Sequence, residues 1–148
     1  MKAHIGVDAG SGYIHTVTPA NAHDITQASE LIREDDETVY GDVGFIGIEK
    51  RPEIKSDEKK SRIDYRINRR PGTLSRQYQG YALEMERKEE RRKSSVRSKV
   101  EHPFRIVKVL FGYRKTVYRG LSKNLNRLYI LFGCANLLMW SWAGKPGR

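Results

Sequence analysis

The segment LYILFGCANLLMWSW, residues 128–142, limits the fold of this chain more than any other, because fifteen consecutive uncharged residues stand in a sequence of mean hydropathy −0.68. As a helix rising about 1.5 Å per residue it reaches roughly 22 Å, short of the roughly 30 Å hydrocarbon core of a bilayer. Asn136 also falls near its middle. The segment is therefore read as a buried core helix rather than a membrane span. Only 38% of the 148 residues are hydrophobic while 31% are charged, so the core is modest for a chain the size of one ordinary domain.

KAHIGV (2–7) and YIHTVT (13–18) are rich in β-branched and aromatic residues and are separated by Asp-Ala-Gly-Ser-Gly. Glycine adopts positive φ at low cost and aspartate bonds to nearby backbone, so the pattern predicts a β-hairpin. Asp8 also invites a reading as a catalytic carboxylate, since 34 residues separate it from Asp42 and a further 59 lead to Glu101. Its place at the hairpin tip favours the turn. Asp24 is placed to cap a helix over about 25–34, where Ile25, Ala28, Leu31 and Ile32 fall at helical spacing before the acidic run 34–37.

Residues 38–41 read as a short buried strand, followed by a glycine-rich turn, a brief helical segment near 46–50 and a surface connection from Pro52. A further strand is expected over about 62–68. From about Ser75 to Phe111 the composition is helical and strongly charged, and Pro103 predicts a kink or a fresh helix start. The chain thus divides by composition into a sheet part (1–70), a basic helical part (71–127) and an apolar C-terminal helix with its tail (128–148).

Charge is distributed unevenly. Residues 1–49 hold nine Asp/Glu and two Lys/Arg, a net of −7, whereas residues 50–127 hold nine Asp/Glu and twenty-four Lys/Arg, a net of +15. A large positive segment attracts polyanions through counterion release, which makes nucleic acid the first partner to consider beside an ordinary solvated helix face. The single cysteine, Cys134, excludes an internal disulfide framework, and with no apolar leader-like segment near Met1 a cytoplasmic location is expected. His4, His15, His23 and His102 lack metal-ligand spacing and read as structural. No nucleophile-elbow serine or phosphate-binding loop is present in the sequence.

Two carboxylates stand out. Asp42 follows a strand at its carboxyl end, where open α/β sheets keep their ligand sites; a turn or cap is the other reading. Glu101 has Arg97 four residues before it, Arg105 four after and Lys108 seven after, so a regular helix would present all four on one face. That spacing suits an i, i+4 salt-bridge ladder. It also suits a magnesium-binding carboxylate beside cations that hold phosphates.

YGDVGFIGIEKRPE (40–53) and RSKVEHPFRIVKVLFGYRKTVYRGLSKN (97–124) resemble the second and third acidic segments of insertion-sequence transposases of the Asp-Asp-Glu group, insertion-sequence-five type. The opening HIGVDAGSGYIHTVTPANAHD (4–24) is similar to the same proteins, so the resemblance covers nearly the whole chain. Its most specific piece is Arg-x3-Glu-x6-Lys at Arg97, Glu101 and Lys108, together with Asp42, Gly44 and Phe45. Ser94 stands where the family often has a tyrosine.

The resemblance implies an α/β fold, namely a ribonuclease H-like (integrase-like) mixed sheet with a long basic helix and an apolar C-terminal helix. It further implies a DNA transposase with Mg2+ or Mn2+ as cofactor. Asp42 and Glu101 would serve as catalytic, metal-binding carboxylates, and Arg97, Arg105 and Lys108 as DNA-phosphate contacts. The implied partners are double-stranded DNA and intact transposase subunits, with no membrane and no small-molecule substrate. The implied location is the bacterial cytoplasm, with nucleoid association when DNA is bound. In this family the first carboxylate lies on a strand upstream of the KAHIGVD segment, so the sheet is expected to be incomplete, lacking its first strand, and the chain is expected to be a truncated, catalytically inactive transposase. A non-catalytic basic DNA-binding or transposase-interfering protein is the alternative. Two sheet edges left open by the missing strand predict marginal stability. A sharp, cooperative thermal transition of the isolated monomer would contradict that expectation.

Overall fold

The computed structural model describes residues 2–20 and 24–144, with side chains over 3–18 and 28–144. His23, the cap role of Asp24 and the side chain of Ile25 lie outside these limits. In chain order the elements are β1 (Lys2–Val7), β2 (Ile14–Ala20), α1 (Asp24–Leu31), β3 (Thr38–Gly41), α2 (Pro52–Lys55), α3 (Glu58–Ser61), β4 (Asp64–Ile67), α4 (Pro71–Gln77), α5 (Gly80–Arg97), α6 (Glu101–Arg105) and α7 (Leu121–Ala143). Short 3-10 turns cover Val43–Phe45, Ile48–Lys50 and Ser98–Val100, and a π-helical turn covers Ile106–Leu110. The chain packs as two units, residues 1–23 with 99–148, and residues 24–98.

In the first unit β1 and β2 form the expected antiparallel hairpin, with Ile5 opposite Val17 and an irregularity between Gly6 and Val7. Gly6 leaves room there for the His15 ring, which a Cβ would force to move. At the tip, Asp8 Oδ1 accepts from the Ser11 amide at 2.6 Å and the Ser11 hydroxyl at 2.5 Å, and Gly12 takes φ 78°. Asp8 is thus built into the turn.

α7 covers the hairpin. Leu128, Phe132, Ala135 and Met139 recur every three to four residues, are buried, and pack with Ile5, Ile14, Val17, Ile106 and Val107. Phe104 meets Phe132 edge to face at 5.6 Å. Burying each large side chain of this kind contributes about 1.5–3 kcal/mol. Asn136 then fixes the register. Its Oδ1 accepts from the Ile14 amide at 2.9 Å and its Nδ2 donates to the Ile14 carbonyl at 2.8 Å. One side-chain amide thereby supplies a rung like that of a neighbouring strand. The residue that counted against a membrane span is the one that docks the helix.

In the second unit β3 and β4 run parallel, Gly41 opposite Ile67, over a core of Ala28, Ile32, Ile48, Ile54 and Ile63. The expected surface connection after Pro52 folds instead into α2 and α3. Pro52 opens α2 with its φ preset, the Asp57 side chain accepts from the Lys59 and Lys60 amides to cap α3, and Ile54 of α2 is buried in the core.

The helical stretch expected over about 75–111, with Pro103 as its interruption, is also broken near its start. Tyr78 and Gln79 are extended and Gly80 takes φ 55°, which separates α4 from α5. Pro103 lies in the first turn of α6, where a missing N–H costs little, in agreement with a fresh helix start. In place of one mixed sheet, the described strands form two two-stranded sheets, one antiparallel and one parallel. Each strand therefore has a strand neighbour on one side only within its sheet. Among the described residues no helix is long and apolar enough to cross a membrane.

Replacing Asn136 with Ala should lower the unfolding free energy by about 1–3 kcal/mol, because two part-buried backbone groups of Ile14 lose their partner. Urea denaturation followed by circular dichroism checks this, and an unchanged midpoint would mean that α7 is not held through Asn136.

Candidate functional site

Asp42 stands where a parallel strand ends, as expected, and also caps the 3-10 turn that follows. Its Oδ1 accepts from the Gly44 amide at 2.8 Å, and its carbonyl accepts from the Phe45 amide at 3.0 Å. Gly41 lets the turn pack closely, since a Cβ there would lie 2.7 Å from Ile67 Cδ1 and 3.1 Å from Phe45 Cβ. β3 and β4 run parallel, so their carboxyl ends meet at one edge, and Asn68 donates its backbone amide to the Gly41 carbonyl at 3.0 Å.

A buried polar network secures that edge to α5. Glu90, 9% exposed, accepts from Asn68 Nδ2 and the Arg69 amide, both at 2.9 Å, and from Lys93 Nζ at 2.8 Å. Asn68 Nδ2 also reaches the Glu90 carbonyl and Ser94 Oγ, each at 3.2 Å. Burial works to raise the Glu90 carboxyl, but the bonds from Lys93, the Arg69 amide and Asn68 outweigh it and hold the group below the usual 4.5. None of Asn68, Glu90 and Lys93 was singled out by sequence. Glu90 sits among eight charged residues over 86–93, where nothing in the pattern separates a buried carboxylate from its solvated neighbours.

Glu101 opens α6 and is exposed, and Arg105, exposed as well, lies four residues on within the same helix. Lys108 falls in the π-helical turn, where Phe111 N bonds to Ile106 O at 3.0 Å, and its Nζ stands 5.2 Å from the centre of the Phe104 ring. The single helical face expected from regular spacing is altered at this widened turn. Arg97 is the last residue of α5 and belongs to the other packed unit. Among the histidines, His4 is buried in β1, His15 Nδ1 lies 2.8 Å from Thr16 Oγ1, and His102 meets Trp142 edge to face.

Packing redistributes the charge that the sequence shows in blocks. Residues 24–98 hold seventeen Lys/Arg and sixteen Asp/Glu, a net of +1, because the acidic run 34–37 between α1 and β3 folds with the basic run that follows it. Local pairs include Lys59 with Glu34, Arg66 with Asp64, Arg69 with Glu86 and Lys93 with Glu90. The other unit, residues 1–23 and 99–148, holds eleven Lys/Arg and two Asp/Glu, a net of +9. Nearly all the excess positive charge therefore belongs with Glu101, Arg105 and Lys108.

Among the described residues no group of three or more His, Cys, Asp or Glu is placed to hold a metal ion. Asp42 lies in one unit and Glu101 in the other, and Asp42 already gives one oxygen to a backbone amide.

Residues 1–137 match the family of the transposase DDE domain, a span that takes in Asp42, Arg97, Glu101, Arg105 and Lys108. Proteins of that family generally use divalent metal ions. No solved structure matches the chain.

Because the Glu90 carboxyl is lowered in the folded state, its contribution to stability is complete above the usual 4.5 and is lost as pH falls through the lower folded value. Glu90→Gln should destabilise by about 1–3 kcal/mol at pH 7, with the gap to the parent closing as pH falls through the lowered folded value. Unfolding midpoints measured from pH 7 to pH 3 check both the size and the sign.

Proposed function

The chain belongs to the transposase DDE-domain family, and from that premise we propose that it is an insertion-sequence protein of the insertion-sequence-five type that binds duplex DNA through its cationic unit without cutting it unaided. The observation that carries the binding reading is the concentration of +9 of the +10 net charge in residues 1–23 and 99–148. Each phosphate neutralised by such a surface releases counterions, which gives sequence-independent affinity that falls with salt.

In this reading the fold is ribonuclease H-like, and residues 1–148 belong to a catalytic domain of that kind. An antiparallel pair and a parallel pair of strands are both pairings that a mixed sheet of that kind contains. Asp42 and Glu101 are two of the family's carboxylates, which with Mg2+ or Mn2+ would supply phosphodiester cleavage and strand transfer. Arg97, Arg105 and Lys108 hold DNA phosphates. Asp8 does not serve as a third carboxylate, because its Oδ1 is engaged by both the amide and the hydroxyl of Ser11 at the hairpin tip. Among the described residues no third ligand joins Asp42 and Glu101, and in this reading DNA is held and not cleaved. A protein of this kind would act in the cytoplasm on DNA, and would interfere with an intact transposase by occupying its substrate or its subunits.

A labelled duplex titrated with the chain should show binding that weakens steeply between 50 and 200 mM salt, with no nicking of supercoiled DNA in Mg2+ or Mn2+. Absence of binding at the lower salt concentration would overturn the reading. Nicking abolished by Asp42→Ala or Glu101→Ala would overturn the non-cleaving part alone, since the two carboxylates would then suffice.

A further inference from the structure

After Glu101 the sequence contains no further Asp or Glu, while residues 102–148 hold nine Lys/Arg. Four of these, Arg114, Lys115, Arg119 and Lys123, are exposed on the loop 111–120 and the first turn of α7. Adjacent like charges with no carboxylate in the same stretch repel one another, so a loop of this composition gains nothing electrostatically from being held in one shape.

It is nevertheless held. Asn124, 4% exposed, donates through Nδ2 to the Tyr118 carbonyl at 2.6 Å and the Gly120 carbonyl at 2.7 Å, and accepts at Oδ1 from the Tyr118 amide at 3.4 Å. At the other end the Tyr113 amide bonds to the Val107 carbonyl at 3.0 Å. Gly112 and Gly120 take φ 65° and 90°, which lets the chain turn sharply at both ends. The Arg127 guanidinium faces two rings, Tyr113 at 5.2 Å and Tyr118 at 5.9 Å, and so braces the loop from α7. Arg127 is half-buried, in contrast to the four exposed cations.

We propose that loop 111–120, pinned by Asn124 and braced by Arg127, is a preorganised phosphate-contacting element for duplex DNA, distinct from Arg97, Arg105 and Lys108. Its cations reach the backbone phosphates, and the buried Asn124 amide removes the ordering cost that a free loop would incur on binding. This rests on the reading of the chain as a DNA-binding protein and adds where the backbone is gripped. Exposed Val117 and Tyr118 would also suit an anionic lipid surface, but the fixed loop and the family's DNA substrate favour the duplex.

The test is the slope of log association constant against log salt for the full chain and a labelled duplex. Arg114→Ala/Lys115→Ala/Arg119→Ala should make the slope shallower by about 2–3, at roughly 0.9 for each phosphate no longer neutralised. The charge-matched variant Lys59→Ala/Arg62→Ala/Arg92→Ala, whose cations pair with Glu34, Glu58 and Glu89, should leave the slope unchanged. Asn124→Ala keeps every charge and should weaken binding several-fold at each salt concentration. If that variant loses its thermal transition, the triple surface variant decides. An unchanged slope in the loop variant, or an equal change in the charge-matched one, overturns the proposal while leaving DNA binding intact. Failure of the parent chain to bind overturns both. Sedimentation with phosphatidylserine vesicles that the loop variant alone abolishes, with DNA binding retained, assigns the loop to membranes and overturns it as well.

Discussion

The paired hydrogen bonds between Asn136 and the backbone of Ile14 join positions 122 residues apart and fix how the two ends of the chain meet. Closing so long a loop is entropically costly, but the cost rises only slowly with length, and the stripe of Leu128, Phe132, Ala135 and Met139 buried on the hairpin offsets it. Apolar burial alone would allow α7 to slide along the hairpin. The amide of Asn136 removes that freedom, because sliding would leave an amide and a carbonyl without partners.

With the ends joined, residues 24–98 form a unit with a core of their own, and the electrostatic character of the molecule follows. The acidic run 34–37 folds beside the cations of the following helices, as in the pair of Lys59 with Glu34, and that unit is left nearly neutral. Exposed pairs of this kind add little stability. Their consequence lies in cancellation, since they leave the attraction for polyanions to the unit that carries Arg105, Lys108 and the loop beyond.

Much of the fold was legible because the signals were local. The hairpin follows from two β-rich segments around Asp-Ala-Gly-Ser-Gly, β3 begins and ends where expected, and the apolar run is a helix. The parts that were not legible depend on partners distant in sequence. Asn68 and Glu90 look like a loop amide and one more charge on a polar helix until β4 and α5 are brought together. The π-helical turn at Ile106–Leu110 likewise arises in a stretch whose sequence reads as ordinary helix, with Ile106 and Val107 buried against α7. Of the candidate site, the strand-end position of Asp42 was legible, its service as a cap to Gly44 was one of two readings, and its separation by unit from Glu101 was not legible at all.

The sequence by itself determined the elements, the turn role of Asp8 and the likeness of the Asp42 and Glu101 segments to the transposase DDE family, since each rests on residue types at short spacing. Only the tertiary structure decided which segments share a core, and with that where the positive charge resides. Sequence blocks of −7 (1–49), +15 (50–127) and +2 (128–148) become +1 in one unit and +9 in the other, because charge cancels according to which segments pack together and not according to their order.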